Sequence, residues 1–377
     1  MKIKVILTDV KNDQVELAGI LFIIMIEDCR ILSYIFLYLR RRIMIKFSKL
    51  FIFICYLTVL ALLPALDLFG QLTGDDQVTA ISTFSIVGRD SLTDELGVAV
   101  ASRFFAVGSV VPWAEANVGA VATQSFANTS FGWRGLELLG LGLKPSEAID
   151  LLLRYDDNPA KRQLGMVAAD GKSATYTGEE CIAWAGGRNG KNYAVQGNIL
   201  AGEAVVLAME KTFLETKGTL ADRLYAALLA GDKKGGDSRG KQSAALVVVK
   251  EGAGYGGYTD LAIDIRVDDH PEPFQELGRL LVIAQVNYSW NEGWTLFTRQ
   301  DYAEALPHIE RAAKLAPSNA EVLYDLAVIR LAAGRTAEAL EALQNALALN
   351  PNLKKQASVD KDLDSLQQNV EFQKLIK

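Results

Sequence analysis

The stretch "TFSIVGRDSLTDELGVAVASRF", Thr83 to Phe104, decides the fold of this chain. Two short apolar runs, "TFSIVGRD" and "GVAVASRF", flank the polar "SLTDEL", which is the pattern of a β-hairpin. Thr83 stands at the start of the first run. It is either an ordinary strand threonine or a nucleophile that becomes useful only when the polypeptide begins at this residue.

After this hairpin, strand patterns alternate with pairs of helices. Strands are predicted at "VGAVATQSF", at "RQLGMVAAD" and "KSATYTG" around the turn Asp170–Lys172, at "KNYAVQGNIL", and at "SAALVVVK" and "LAIDIRV". Helices are predicted at "WRGLELLGLGL", at "KPSEAIDLLLRY", from Gly202 to Thr216 and from Leu220 to Ala230. Strands joined by tight turns pair antiparallel, and paired helices suit the outer faces of two facing sheets. The sequence therefore predicts an α+β domain.

The carboxy-terminal third repeats itself. "DYAEALPHIERAAKLAPSN", from Asp301, aligns with "RTAEALEALQNALALNPNL", which starts 34 residues later at Arg335. This period, with small residues at the helix crossings and proline at the exit, is the tetratricopeptide pattern of two helices per repeat. We expect a joining helix from about Pro273 to Val286 and a closing helix from Leu363 to Ile376. The repeats serve either packing or homodimerisation, or else the binding of a protein or peptide, and the pattern leaves these alternatives open.

Composition excludes several classes of function. The net charge is −6, and no basic block lies outside the amino-terminal region, so a nucleic-acid partner is not expected. The chain has two histidines and three cysteines, Cys29, Cys55 and Cys181, without metal-ligand spacing. We therefore predict neither a metal nor another cofactor. If the protein is a hydrolase, its general base is not expected to be histidine.

The amino-terminal region has the features of an export signal. The apolar run "FIFICYLTVLALL", Phe51 to Leu63, follows a basic flank and is shorter than the ~20 residues of a transmembrane helix. A further apolar stretch upstream would make the leader unusually long, and a true start at Met44 would give it normal proportions. We assign residues 1–75 to targeting and expect a periplasmic or secreted protein. An uncleaved membrane anchor is the alternative.

Several segments together resemble a known family. The opening stretch, "GAVATQSFAN", "YAVQGNIL", "GGDSRGKQSAAL" and "DIRVDDHPEPF" are similar to the domain of unknown function 1028 family, which is classed with the N-terminal nucleophile (Ntn) hydrolases. The resemblance extends from Thr83 to Leu281. It implies a four-layer αββα sandwich, which we place at residues 80–272, followed by an all-α repeat domain at 273–377. It implies no substrate.

The resemblance gives Thr83 a chemical role. An Ntn hydrolase uses the side chain of its first residue as nucleophile and the α-amine of that residue as base, which is substantially neutral at physiological pH. Ala80 and Ser82 are small, as signal peptidase requires for a cut before Thr83. A cut near Gly70 would instead leave extra residues that block the amine. The alternative is a strand threonine in an Ntn fold without Ntn chemistry.

Two more residues are catalytic candidates. Arg103 ends the second strand, where it would hold the amine neutral or orient a carboxylate, unless it is a surface arginine. Asn198 ends a strand and is either an oxyanion donor or a turn-forming residue. The candidates for substrate binding are Ser102, Gln124, Asn128, Asp237, Arg239 and Gln242. In this set, Asp237 and Arg239 belong to a glycine-rich loop that either binds an anion or is braced by their ion pair.

Two residues receive structural interpretations. We expect His270 to cap a turn rather than bind a metal, and Cys181 to be a buried thiol, because no cation near it in sequence would lower its pKa. The expected function is an exported Ntn-type amidohydrolase that acts on a small amide-containing substrate without a cofactor. The alternative is a non-catalytic Ntn-fold binding or scaffold protein whose repeats recruit a partner in the cell envelope.

Overall fold

The computed structural model describes residues 83–377. The predicted targeting segment 1–75, with Met44, Cys29 and Cys55, and the proposed cleavage residues Ala80 and Ser82 lie outside the described residues. Within 83–377, none of the helices combines the length and the apolar character that crossing a bilayer would require.

The strands form two antiparallel sheets. Their bounds are β1 Thr83–Arg89, β2 Leu96–Ser102, β3 Pro112–Glu115, β4 Gly119–Ser125, β5 Arg162–Ala168, β6 Ser173–Thr177, β7 Gly186–Gly190, β8 Tyr193–Asn198, β9 Ser243–Val249 and β10 Leu261–Val267. The six-stranded sheet has the order β10-β9-β2-β1-β8-β7, and the four-stranded sheet has the order β3-β4-β5-β6. The predicted "VGAVATQSF" strand is β4. The short strands β3 and β7 were not predicted, because neither has an alternating apolar pattern.

Paired helices cover the outer face of each sheet. Helices α1 Ser130–Gly140 and α2 Pro145–Arg154 pack on the four-stranded sheet, and α3 Ala204–Glu215 and α4 Leu220–Asp232 pack on the six-stranded sheet. Leu136 and Ile149 share a core with Leu164 on the first side, and Leu224 shares one with Phe84 on the second. The predicted four-layer αββα sandwich is confirmed.

The two faces of β1 belong to different layers. Phe84 and Ile86 lie in the core under α3 and α4, whereas Val87 lies in the core between the two sheets. Because side chains alternate along a strand, Thr83 and Ser85 also face the space between the sheets. That space is apolar around Val87 and polar at the Thr83 end.

The repeat region consists of helices, and the first of them also packs against the sandwich. They are α5 Pro273–Thr298, α6 Tyr302–Leu315, α7 Ala320–Ala332, α8 Thr336–Leu349, α9 Leu353–Ala357 and α10 Val370–Ile376. The joining helix α5 extends beyond the predicted end at Val286, because its later residues, among them Leu296 and Phe297, pack against the repeat core. The predicted all-α region is confirmed.

The prediction of one closing helix from Leu363 to Ile376 was wrong. A 3₁₀ helix occupies Lys361–Leu366, and α10 begins separately at Val370. The Asn369 side chain accepts hydrogen bonds from the amides of Glu371 and Phe372, so it caps a new helix at this point.

Candidate functional site

Thr83 is fully buried at the first position of β1, between two polar strand ends. It pairs with Ser102 of β2 on one side and with Asn198 of β8 on the other. Its hydroxyl donates a hydrogen bond to the Ser102 Oγ atom over 3.3 Å. The antiparallel register therefore places three sequence-predicted residues side by side.

Gln124 connects the four-stranded sheet to Thr83. Its Nε2 atom lies 3.3 Å from the Thr83 carbonyl oxygen and 2.8 Å from Gln163 Oε1, and it donates to both. Its Oε1 atom accepts from the Ser85 hydroxyl at 2.6 Å. Gln124, which was predicted from its place after a strand, thus lies against the candidate nucleophile.

Gln163 is the centre of this hydrogen-bond network. Its Oε1 atom accepts from Gln124 and from Asn198 Nδ2, the latter at 2.9 Å. Its Nε2 atom donates to the Gly197 carbonyl at 2.8 Å and to Thr177 Oγ1 at 2.9 Å. A single fully buried amide therefore ties the two sheets together at the Thr83 end.

Gln196 extends the network along β8. Its Nε2 atom donates to Ser85 Oγ at 2.6 Å. A Cβ atom built on Gly165 would lie 2.0 Å from Gln196 Oε1, so the absence of a side chain at position 165 makes room for Gln196. We call Thr83, Ser85, Ser102, Gln124, Gln163, Gln196 and Asn198 the inter-sheet polar cluster.

The inter-sheet polar cluster contains hydroxyls and amides but no ionisable side chain. Each amide is both a donor and an acceptor, so the members can satisfy one another in a buried space without a charge. The cluster can orient a carbonyl group and donate hydrogen bonds to it. Its side chains provide no general base at neutral pH, because neutral amides and alcohols do not accept protons there.

The chain leaves the cluster through residues with left-handed backbone angles. Ser125, the last residue of β4, has φ 68°, and Ile199, directly after Asn198, has φ 52°. A β-branched residue rarely adopts positive φ, so surrounding contacts must impose this turn. The Ile199 and Leu200 amides donate to the carbonyls of Ile182 and Trp184, which fixes the position at which β8 ends.

Arg103 and the glycine-rich loop form a separate arrangement beside the cluster. The Arg103 amide donates to Asp237 Oδ2 at 2.7 Å, and its exposed guanidinium donates to the Arg239 carbonyl at 2.9 Å. Asp237 is buried and forms an ion pair with Arg239 at 3.1 Å. These contacts match the bracing alternative, in which the loop is tied to the end of β2.

Asn128 and Gln242 make contacts outside the inter-sheet polar cluster. The Asn128 Oδ1 atom accepts from the Ser130 amide and hydroxyl at the start of α1, and its Nδ2 atom donates to Asp156. The Gln242 Nε2 atom donates to Asp269 at 3.2 Å. Both side chains therefore hold local loops.

Sequence reasoning missed Ser85, Gln163 and Gln196, although a signal was present. Each is a polar residue next to apolar residues in its strand, and Ser85 and Gln196 each lie two positions from a predicted site residue. Residues two apart share one face of a strand. A search for polar residues at this spacing would have found both.

His270 and Cys181 have structural roles. His270 Nδ1 accepts from the Glu272 amide at 3.0 Å in an exposed turn before α5. Cys181 is half-buried, and burial raises the pKa of its thiol, so it is not an activated thiolate. Within residues 83–377, no group of three or more His, Cys, Asp or Glu side chains is arranged to hold a metal ion.

Comparisons with known proteins confirm the family resemblance and the repeats that the sequence indicates. The family model described as "Family of unknown function (DUF1028)" matches residues 83–277, slightly more than half of the chain, and a tetratricopeptide repeat model matches residues 291–353. Curated proteins gave no match.

Two solved structures are similar to parts of the chain. A DUF1028 protein from Silicibacter pomeroyi is 30% identical, with a TM-score of 0.49, over 54% of this chain and 89% of its own. The crystal structure of MamA is 13% identical, with a TM-score of 0.21, over 27% of this chain and 66% of its own. By the extent of the family match, the chain belongs to the DUF1028 family and carries tetratricopeptide repeats after its family domain.

Proposed function

We propose that the protein is an exported amidohydrolase whose nucleophile is Thr83, freed as the amino-terminal residue when the preceding peptide is removed. The observation that carries the proposal is the position of Thr83 in the inter-sheet polar cluster, next to Ser102 Oγ and among buried amides. Since the cluster has no basic side chain, the α-amine created by cleavage is the base that this geometry calls for.

The proposed reaction has two halves. In the first, Thr83 Oγ1 attacks the amide carbon while its proton moves to the α-amine, and that proton passes to the leaving nitrogen as the C–N bond breaks. In the second, water attacks the acyl ester on Thr83. The α-amine takes a proton from that water and returns it to Thr83 Oγ1, which releases a carboxylic acid.

The cluster's amides supply polar groups for the transition state. Asn198 pairs directly with Thr83 across the strands, and Gln163 holds its Nδ2 atom in place at 2.9 Å. Exchanging this bond for one to the developing oxyanion would make Asn198 the donor. Gln124, bonded to the Thr83 carbonyl, positions the nucleophile's backbone.

Export would supply the required cleavage. The basic flank and the apolar run before residue 64 are typical of a secretory signal, and Ala80 and Ser82 suit a cut at the Ser82–Thr83 bond. In this proposal the periplasm or the exterior is the site of action.

The proposal is tested by assaying the mature protein against N-acyl amino acids, small cyclic amides and cell-wall peptides. We expect Thr83→Ala to abolish hydrolysis, and Thr83→Ser, which keeps a hydroxyl, to retain part of it. Retention of full activity by folded Thr83→Ala would refute the proposal. Circular dichroism of both variants serves as the folding control.

A second candidate function is partner binding through the repeats. A cavity of about 670 Å³ next to α5 and α7 is lined by Tyr255, Tyr258, Trp290, Trp294 and Asp325. Tyr255, Tyr258 and Trp294 are exposed, and exposed aromatic side chains are typical of binding surfaces. For this function, Trp294→Ala weakens partner capture from envelope extracts and Thr83→Ala leaves it unchanged. Unchanged capture by Trp294→Ala together with weakened capture by Thr83→Ala would exclude partner binding at this cavity.

A further inference from the structure

A second polar site lies where the sandwich meets the repeat region. It is a cavity of about 320 Å³ bordered by residues of β9, α5 and α6 and by the loop before β2. The charged or titratable side chains that line it are Glu95, Lys250, Tyr288, Glu292, His308 and Arg311. We call it the junction cavity. Its volume is at the lower end of the range for small-molecule sites.

Part of the charge in the junction cavity is already compensated. Glu292 on α5 accepts from Lys250 Nζ at 3.0 Å and lies 2.9 Å from His308 Nδ1. These two contacts hold the pKa of Glu292 below its usual range in spite of its burial. The Lys250–Glu292–His308 group therefore needs no ligand to balance its charges.

Glu95 has no such partner. It is only 5% exposed, and its Oε1 atom accepts from the Tyr288 hydroxyl at 3.3 Å. Among residues 83–377 no cation lies within ion-pair distance of it, and burial raises the pKa of its carboxyl although Lys250 attracts its charge from farther away. Buried carboxylates are normally paired with a cation or a metal. An unpaired one that borders a cavity points to a cationic group in a ligand.

Arg311 supplies the opposite charge without a carboxylate. Its Nη2 atom donates to Gln285 Oε1 at 3.2 Å, and no acidic residue in the described part of the chain lies within ion-pair distance of it. Gln285 is fixed by its own bond to Asp222 Oδ1 at 2.6 Å. The guanidinium is thus positioned at the cavity and matches a carboxylate in geometry.

We propose that the junction cavity binds a free α-amino acid as its zwitterion, with the carboxylate on Arg311 and the ammonium group on Glu95. Arg311 contacts Gln285 and Glu95 contacts Tyr288, both on α5. Gln285 and Tyr288 are three positions apart, so they lie about 5–6 Å from each other on one face of this helix. A simple anion would leave Glu95 unpaired, and a simple cation would leave Arg311 unpaired. Val248 and Ile263 line the same cavity and provide apolar contacts for an aliphatic side chain.

This site is independent of the proposed chemistry at Thr83. Glu95 directly precedes Leu96, which pairs with Arg89 at the far end of β1 from Thr83. A seven-residue strand separates the two ends by about 20 Å. Because both the sandwich and the repeats line the cavity, a bound amino acid would contact both regions.

The test is calorimetric titration of the full mature chain with glycine, L-alanine and L-leucine. L-leucine methyl ester lacks the carboxylate charge, and N-acetyl-L-leucine lacks the ammonium group. We expect saturable binding of at least one free amino acid at one site per chain. Loss of either charge should weaken leucine binding about 10- to 100-fold, as expected when a charge-assisted hydrogen bond is lost.

Variants assign each contact. Arg311→Gln should weaken binding of the free amino acid about 10- to 100-fold but should scarcely change binding of the methyl ester. Glu95→Gln should weaken binding of the free amino acid by a similar factor but should scarcely change binding of N-acetyl-L-leucine. Arg279→Gln, on α5 and in an exposed pair with Glu276, is the control for loss of an arginine away from the cavity and should bind normally. Arg311→Lys, which keeps the charge, covers the case in which Arg311→Gln does not fold.

Three outcomes would overturn the proposal: no binding of any free amino acid, equal binding of the N-acetylated form, or normal binding by folded Arg311→Gln. The same titration with Thr83→Ala should give an unchanged affinity. Failure of this site is therefore distinguishable from failure of the proposed hydrolase.

Discussion

The inter-sheet polar cluster and the junction cavity lie at opposite ends of the six-stranded sheet and solve the burial of polar groups differently. The cluster satisfies hydroxyls and amides with one another and contains no charge. The junction cavity holds charged groups, of which Glu292 has a close ion pair and Glu95 has none. Under our two proposals, cleavage before Thr83 would create the proton acceptor that the cluster lacks, and a bound amino acid would complete the charge balance of the junction cavity.

Replacing the candidate nucleophile has the largest expected effect. Thr83→Ala removes the hydroxyl that would carry the acyl group, so turnover should fall at least ~1,000-fold. Unfolding by urea should shift much less than turnover, because the hydrogen bond from the Thr83 hydroxyl to Ser102 Oγ is long, at 3.3 Å. A large loss of stability without a loss of specific activity would assign Thr83 a packing role.

Removing the centre of the cluster tests how the network contributes to folding. Gln163→Leu leaves the amides of Gln124 and Asn198 without their shared acceptor, so we expect a loss of about 2–4 kcal/mol in the free energy of unfolding. Gln242→Leu is the control, because that half-exposed side chain bonds to Asp269 at a surface loop, and it should cost less than about 1 kcal/mol. Equal effects in a urea titration would contradict a special role for the cluster.

A smaller change tests the close approach at Gly165. Gly165→Ala places a methyl group where the Gln196 amide lies, so Gln196 has to move away from Ser85. We expect a loss of about 1–3 kcal/mol in unfolding free energy, the usual range for overpacking. An unchanged denaturation midpoint would show that Gln196 has room to move.

The pH dependence of stability should come from the charged regions. Burial raises the pKa of Asp325 on α7 to about 6, although Trp290 Nε1 donates to this carboxylate at 2.7 Å. The folded state therefore holds a proton that the unfolded state releases, and stability should fall as pH rises from about 4 to about 6.

Asp325→Asn removes this titration. The variant should match the native chain near pH 4 and exceed its unfolding free energy by on the order of 1–2 kcal/mol near pH 7. Chemical denaturation at the two pH values measures the difference. A gap that stays constant with pH would contradict the raised pKa.

The strands, helices and repeats that follow from a regular spacing of apolar residues could be predicted from the sequence. The hairpin at Thr83, the outer helix pairs and the 34-residue repeat follow local apolar patterns, and Ser102 and Asn198 are strand-end residues that the register brings to Thr83. Gln163 was missed because its bonds to Gln124 and Asn198 depend on packing within and between the sheets, which local periodicity does not encode. Strand β7, "GGRNG", has no apolar alternation to reveal it.

Arg103 shows a second limit of sequence reasoning. It follows Ser102 at the end of β2 and was therefore grouped with the residues near the nucleophile. Strand β2 ends at Ser102, whose side chain enters the cluster, and Arg103 lies beyond the strand, exposed beside the Asp237 loop.

The most direct test of the central claim is the amino terminus of the protein recovered after export, measured by intact mass and Edman sequencing. We predict a chain that begins at Thr83 with a free α-amine. A mature chain that begins upstream, for example near Gly70, or that has a blocked terminus, would contradict the proposed catalytic role of Thr83.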